Sequence, residues 1–391
     1  MKLLEEQNRK KLCNILFYIA LTIELLVMIY EKSEGVNPGI YGQIFRVTFV
    51  LAFGTVLLTE HNKREWIILA AAFVFTLVCW RITGKNELLR FFTFMAAARD
   101  IDLKKAMKYV FFVTLAGFGI IALLSAIGVG NLTLTMDYGR DVGEECRYVF
   151  GFGNPNDFAA CIFALIAMWI WIYGRDAGIV KWIVVLGIDV VIGCLSKSRT
   201  SFCLGMFTFL IAIMARYWKK LSECKVIYIL TALVTPVFCV AFAVWSAIVS
   251  PIPRYEQDHK FYNIIAFIDE ALNNRIQYLY RDSDAHEGAI QTWKLFSDRN
   301  SNKYFDLGWV RIFYWYGIIP TIIISALVII LIYICYKKKD IWTLILILTL
   351  SMYTILEAIF VSEYIGRLYI FPIVGVYLGE FVRRERMEGN V

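Results

Sequence analysis

The chain has 391 residues, of which 59% are Ala, Val, Ile, Leu, Met, Phe, Trp, Tyr or Cys and 19% are charged, against roughly 45–50% apolar and about 25% charged in soluble domains. A water-soluble enzyme of this length has too small an interior for so many large apolar side chains, and 29 Phe, 22 Tyr and 11 Trp exclude a disordered chain. What remains is a polytopic membrane protein, as the mean hydropathy of +0.61 also indicates. The net charge of +7, spread over the loops, does not point to nucleic acid.

Residues 1–30 join a basic flank to an apolar stretch without a small-residue cleavage signature, so they read as a retained first span. A bilayer core takes about 20 apolar residues per helix. On that measure about twelve spans are expected, at 12–30, 40–58, 66–81, 87–98, 106–127, 155–173, 181–195, 200–218, 225–249, 307–336, 341–361 and 365–381. The expected fold is an all-α integral membrane protein, a single polytopic domain over 1–391. Alternate loops are rich in Lys and Arg, as at Lys63–Arg64, Lys104–Lys105, Lys219–Lys220, Lys337–Lys339 and Arg383–Arg384. The positive-inside rule then places both termini in the cytoplasm.

Residues 250–306 form one long polar loop on the outer side, and its stretch FYNIIAFIDEALNNRIQYLY has apolar residues near helical spacing. One or two short helices are expected there, lying on the membrane surface. Loops of such length usually carry function. Nine cysteines, most of them inside apolar runs, show neither a disulfide framework nor C-x-x-C spacing, and three histidines at 61, 259 and 286 do not make a metal cluster. No metal or cofactor is expected.

Charges inside spans cost roughly 2.5–3.5 kcal/mol each on insertion scales, which makes them functional candidates or packing pairs. Here they are Glu24, Arg46, Arg90, Asp157, Asp189, Arg311, Glu357 and Arg367. Nearly all fall in the outer half of their helices, where a transporter would concentrate polar groups near the midplane. Three segments converge on that side. Arg147 precedes the turn Gly151-Phe152-Gly153-Asn154-Pro155-Asn156, whose Pro155 suits a helix start, and helix N-termini attract anions. Ser196-Lys197-Ser198-Arg199-Thr200 puts two cations in an outer turn where topology needs none, and Arg suits bidentate phosphate recognition. Arg275 lies in Asn273-Asn274-Arg275-Ile276, and Asp306 stands where the loop re-enters the membrane, as either a helix cap or a carboxylate aimed into a cavity. Asp282-Ser283-Asp284 reads as a surface acidic patch.

Together these segments resemble the Wzy-type polysaccharide polymerases and O-antigen ligases. The matches are Arg147 with GFGNPN at 151–156, SKSRTS at 196–201, NNRI at 273–276, and FDLGW with YGII over 305–319. The resemblance covers the order of features from about residue 90 onward; each motif is short, and their order and shared side give it its specificity. It implies a GT-C-like bundle that joins polyprenyl-pyrophosphate-linked oligosaccharide repeat units at the outer face of a bacterial cytoplasmic membrane. The reaction would be inverting and metal-independent, with a flippase and a chain-length regulator as pathway partners. Catalytic roles fall on Asp306, Arg199 and Arg275. Lys197, Arg147, Asn154, Asn156, Ser198 and Arg311 would hold pyrophosphate and glycan. Ligases of the group carry His-Asn at the loop end and many polymerases Asp-Asn; this chain has Asp306-Leu307, which argues against a His-based proton acceptor and against a ligase. A flippase for lipid-linked oligosaccharide is the chief alternative of another class, and a ligase-type transferase the nearer one.

Overall fold

The computed structural model describes residues 2–35, 39–137, 143–281, 284–358 and 367–383. About three quarters of the chain is helical. Among the described residues nine helices are long and apolar enough to cross a membrane: α1 (Lys2–Glu31), α2 (Tyr41–Leu58), α3 (Lys63–Thr83), α5 (Leu103–Ala126), α6 (Pro155–Tyr173), α7 (Ile179–Ser196), α8 (Arg199–Tyr217), the run α9 (Lys225–Ala232) to α10 (Cys239–Val249) and α11 (Ile252–Tyr255), and α15 (Ile318–Lys338). Three shorter helices join the bundle: α4 (Glu87–Ala97), α16 (Ile341–Leu356) and α17 (Arg367–Arg383). The chain is a multi-span all-α membrane protein. The expected spans 87–98 and 181–195, the shortest on paper, are both helical.

Helix ends follow local chemistry. Asn62 and Glu65 form a reciprocal capping box on α3, which stops at left-handed Gly84. Asp102 caps α5 through the Lys105 amide at 3.0 Å. Asp340 accepts from the amides of Trp342 and Thr343, both at 3.1 Å, to start α16. Between α9 and α10 the helix widens into a π-turn over Leu233–Phe238, which absorbs Pro236 without a break.

Helix α6 is the hub. Two thirds of its span is buried, whereas none of the other eight long apolar helices exceeds 39%. It packs on α5, α7, α8 and α16, and its Phe163 ring lies 5.0 Å from that of Tyr353. The outward faces of α3, α7 and α15 carry exposed Ile67, Val180, Ile183 and Ile322, as lipid-facing sides should.

The 250–306 segment is folded onto the bundle. It carries α12 (Tyr262–Ala271), α13 (Tyr278–Arg281) and a 3-10 turn at Ile290–Thr292. A second core unites its Ile265, Ile276 and Leu279 with Phe305, Trp309 and Val310 and with Cys239 and Ala243 of α10. Burying each large aliphatic side chain there contributes roughly 1.5–3 kcal/mol. Ile264 and Phe267 of α12 stay exposed on its opposite side.

One expected span is corrected. The stretch 307–336 is two helices, α14 (Gly308–Tyr316) and α15, broken at Gly317 with φ +99°. Residues 294–297 run through the break: Ile318 N–H donates to the Lys294 carbonyl at 2.9 Å, Ile319 to Leu295 at 3.0 Å, and Ser297 to Tyr316 at 3.3 Å. A side chain at Gly317 would meet that backbone 2.6 Å away. Pro320 fits the first turn of α15, where its missing N–H costs nothing. A hairpin that sequence reading did not anticipate, β1 (Thr133–Asp137) and β2 (Glu144–Tyr148), pairs antiparallel with Thr133 opposite Tyr148.

Candidate active site

The turns 32–35, 84–86, 127–132 and 149–154, the turn 197–198 and the folded 250–306 segment gather at one end of the bundle, where the Glu34 amide donates to the Gly151 carbonyl at 3.1 Å and the Asn131 amide to the Glu34 carboxylate at 2.7 Å. Lys85 ties this end together, donating to the carbonyls of Ser301 at 2.7 Å and of Asp298 and Trp315 at 3.3 Å.

Arg275 occupies the centre. Asn273 and Asn274, both left-handed, end α12 and turn the chain sharply; Asn tolerates that region better than most residues. Asp269 secures the turn from inside, accepting from the amides of Ile276 at 2.7 Å and Gln277 at 3.3 Å. Burial pushes the Asp269 carboxyl up, and those two amides oppose the shift. Arg275 thereby reaches the C-terminus of α16. Its Nη2 donates to Glu357 Oε1 at 2.6 Å, its Nη1 to the Leu356 carbonyl, and its Nε lies 3.3 Å from Asp306 Oδ2. Arg275 and Glu357 are buried, while the Asp306 side chain is 46% exposed. The helix-cap reading of Asp306 does not hold: Leu307 is the N-cap of α14 and makes no side-chain cap.

Around this triad lie further polar groups. The Arg311 guanidinium on α14 stacks between two rings, 3.7 Å from Trp315 and 4.2 Å from Tyr304. Tyr304 stands within the electrostatic reach of Arg311, Asp306, Asp157 and Glu357. Asp157, in the first turn of α6, pairs with Lys32 at 3.5 Å. One turn before Glu357, the Tyr353 hydroxyl hydrogen-bonds Ser201 of α8, and Ser201 meets Ser198 at 3.3 Å. Lys197 is left-handed and exposed. Arg199 opens α8, is exposed, and has no hydrogen bond or ion pair among the described residues.

The structure thus brings Arg275 and Asp306 into contact, sets Arg311 beside them through Tyr304, and links Ser198 to α16 next to Glu357. Asn154 caps α6 by accepting from the Asn156 amide at 2.8 Å, with Pro155 at the first helical position. Arg147 is buried on β2 and donates to Glu145 of its own strand at 2.8 and 3.0 Å. The cluster pairs its cations with carboxylates: Arg275 is matched by Glu357 and Asp306, and Lys32 by Asp157. Glu357 and Asp157 had been visible as in-span charges without a role; Lys32, Tyr304 and Tyr353 had carried no signal. Asp282 and Ser283 lie outside the described residues.

Chemically, the cluster offers an accessible carboxylate, a guanidinium beside it, and the exposed cations Lys197 and Arg199 at the start of α8. The first amides of α8 have no side-chain cap, so that terminus presents partial positive charge in the same direction. No protein-family model, curated protein or solved structure matches the chain.

Proposed function

We propose that the chain is a membrane glycosyltransferase that joins polyprenyl-pyrophosphate-linked oligosaccharide repeat units into a polysaccharide. The reading places twelve crossings, from α1 to α10 and from α15 to α17, with both termini cytoplasmic and the 250–306 segment outside, in the cytoplasmic membrane of a bacterium. The observation that carries it is the contact between Arg275 and Asp306 at 3.3 Å. Two residues from separate motifs, both assigned to chemistry by the resemblance, meet where a lipid-linked donor would place its head.

In the proposed reaction the acceptor hydroxyl oxygen attacks the anomeric carbon of the donor. The bond from that carbon to the pyrophosphate oxygen breaks on the opposite face, so configuration inverts. Polyprenyl pyrophosphate departs with the electron pair, and the hydroxyl proton passes to Asp306. A base must lie within hydrogen-bond reach of the proton it takes, and Asp306 is the open carboxylate of the cluster. Arg199 and Lys197, with the amides of α8, receive the pyrophosphate; Arg275 stands next to the reacting carbon. Fixed donors aimed at the growing charge contribute most where water is excluded.

Chain lengthening of a lipid-linked repeat unit by purified protein in detergent tests the reading, because a flippase has no membrane to cross there. The wild type should give a ladder of repeats, and Arg199→Ala, Arg275→Ala and Asp306→Asn should give none while still inserting into membranes. A single transfer to a different acceptor would identify a ligase. Normal ladders from all three variants would remove the site assignment.

A further inference from the structure

The opposite end of the bundle holds a second charged cluster, at the turn between α2 and α3, the end of α4 and the end of α17. Arg99 is its centre. Nη1 donates to Glu65 at 2.9 Å and to His61 Nδ1, and Nη2 to the Glu60 carbonyl at 2.6 Å and Asp100 at 2.8 Å. Arg383 meets Glu65 from α17 at 3.0 Å. His61 Nε2 contacts the Val56 carbonyl at 2.9 Å, so its proton sits there and Nδ1 accepts from Arg99. The Arg99 Nε is buried with no hydrogen-bond partner among the described residues, although 91% of that side chain is shielded, only 9% being exposed.

Arg99 lines one end of a cavity of about 340 Å³ between α3, α4, α15 and α17. Apart from His61, Glu65 and Arg99 at one end, its walls are apolar, among them Leu69, Ala72, Met95, Ala96, Leu327 and Leu378. From Glu65 to Ala72 the cavity follows α3 for two turns, roughly 10 Å at 1.5 Å per residue. Gly379 shapes its polar end, since a Cβ there would collide with the methylenes of Arg99.

The two halves of this site ask for different things. A buried N–H without an acceptor is destabilising, so an apolar guest alone is a poor fit. Water needs two to four polar partners, which the length of the cavity beyond His61, Glu65 and Arg99 does not supply. Glu65 and Asp100 already neutralise much of the Arg99 charge, which favours a neutral acceptor over an anion. We infer that the cavity holds one acyl chain of a membrane phospholipid, with the ester carbonyl of that chain accepting from Arg99 Nε. The inference is independent of the proposed sugar transfer, because the cavity lies at the other end of the bundle from Arg275.

Native mass spectrometry of the full-length, delipidated protein in detergent tests it. The probes are dioleoyl phosphatidylglycerol, dioleoyl phosphatidylethanolamine and their ether-linked analogues, which have the same chains and no ester carbonyl. One molecule of either ester lipid should bind with similar affinity, and the ether analogues about tenfold more weakly, equivalent to about 1.4 kcal/mol. Ala72→Trp, which fills the cavity from α3, should abolish that binding at an unchanged melting temperature. Equal binding of ester and ether lipids would overturn the role of Arg99, and that comparison needs no variant. Undiminished binding by a folded Ala72→Trp protein would overturn the cavity as the site. A strong preference for the anionic lipid would overturn the carbonyl as the acceptor.

Discussion

Arg275 and Glu357 stand 82 positions apart in the chain and meet at 2.6 Å, both with less than a tenth of their surface exposed. The pair fastens the 250–306 segment to the end of α16. It also fixes the guanidinium that touches Asp306. Removing one member of a buried ion pair leaves the other uncompensated and costs about 3–5 kcal/mol. Arg275→Ala and Glu357→Gln should therefore both lower the melting temperature in detergent and expose the segment to protease. Asp306→Asn should abolish transfer with little change in either, because that carboxylate is half exposed. An Arg275→Ala protein as stable and as protease-resistant as the wild type would refute the clamp.

The break at Gly317 has the same logic in the backbone. Its φ of +99° excludes comfortable replacement, and a Cβ would sit 2.6 Å from the Leu295 carbonyl oxygen and the Phe296 Cα. Strained backbone of this kind costs on the order of 1–3 kcal/mol, and overpacking adds to it. Gly317→Ala should separate residues 294–297 from the helix break, seen as new proteolysis there and as a lower melting temperature. A Gly317→Ala protein with wild-type protection at 294–297 would show that the threading does not depend on this residue.

Helices were the legible part of this chain. The 155–173 stretch reads as a span and forms α6 over the same residues, because its apolar run begins at Asn154-Pro155 and both signals act within one turn. Tertiary pairings left no such local trace. Nothing near Arg275 in sequence names Glu357 as its partner, and Tyr353 looked like one more apolar-span residue until Ser201 came within bonding distance. Arg147 carries a pairing of the same kind: in a motif it reads as a phosphate ligand, and nothing in the motif announces that its Nε and Nη2 donate to a carboxylate two residues away on the same strand. The Gly317 break is written in Tyr-Gly-Ile-Ile-Pro, but the 30 apolar-rich residues 307–336 that contain it look like one span when only hydropathy is weighed.

At the opposite end, His61 supplies a pH prediction. Burial first, then the positive charge of Arg99, holds its imidazole below the ordinary value of about 6.5; the Val56 carbonyl, Glu65 and Asp100 act the other way. A depressed pKa means that the folded state binds this proton less readily than the unfolded chain. The stabilisation is complete above about pH 6.5 and declines as pH falls below it toward the folded value. Melting curves from about pH 8 to about pH 5 should show the wild type losing more stability than His61→Asn across that window. Parallel profiles for the two proteins would place the acid sensitivity elsewhere.

The buried carboxylate of Asp189 permits a sharper test of packing. It lies within α7, 5% exposed, with Oδ2 lacking any hydrogen-bond partner among the described residues. Its carboxylate rests on the bare Cα of Gly205 in α8, where a Cβ would come 2.6 Å from Oδ1 and 2.7 Å from Cγ. Glycine there is thus the counterpart of the acid, making room for a group that finds no bond. Gly205→Ala should destabilise the protein by about 1–3 kcal/mol through overpacking. Asp189→Ala removes both the obstacle and the unsatisfied oxygen, so the double variant should recover what the single Gly205→Ala change lost. If the two effects simply add, the residues are not in contact and the helix pair packs differently; if Asp189→Ala alone eliminates transfer without lowering stability, the carboxylate serves the reaction and not the packing.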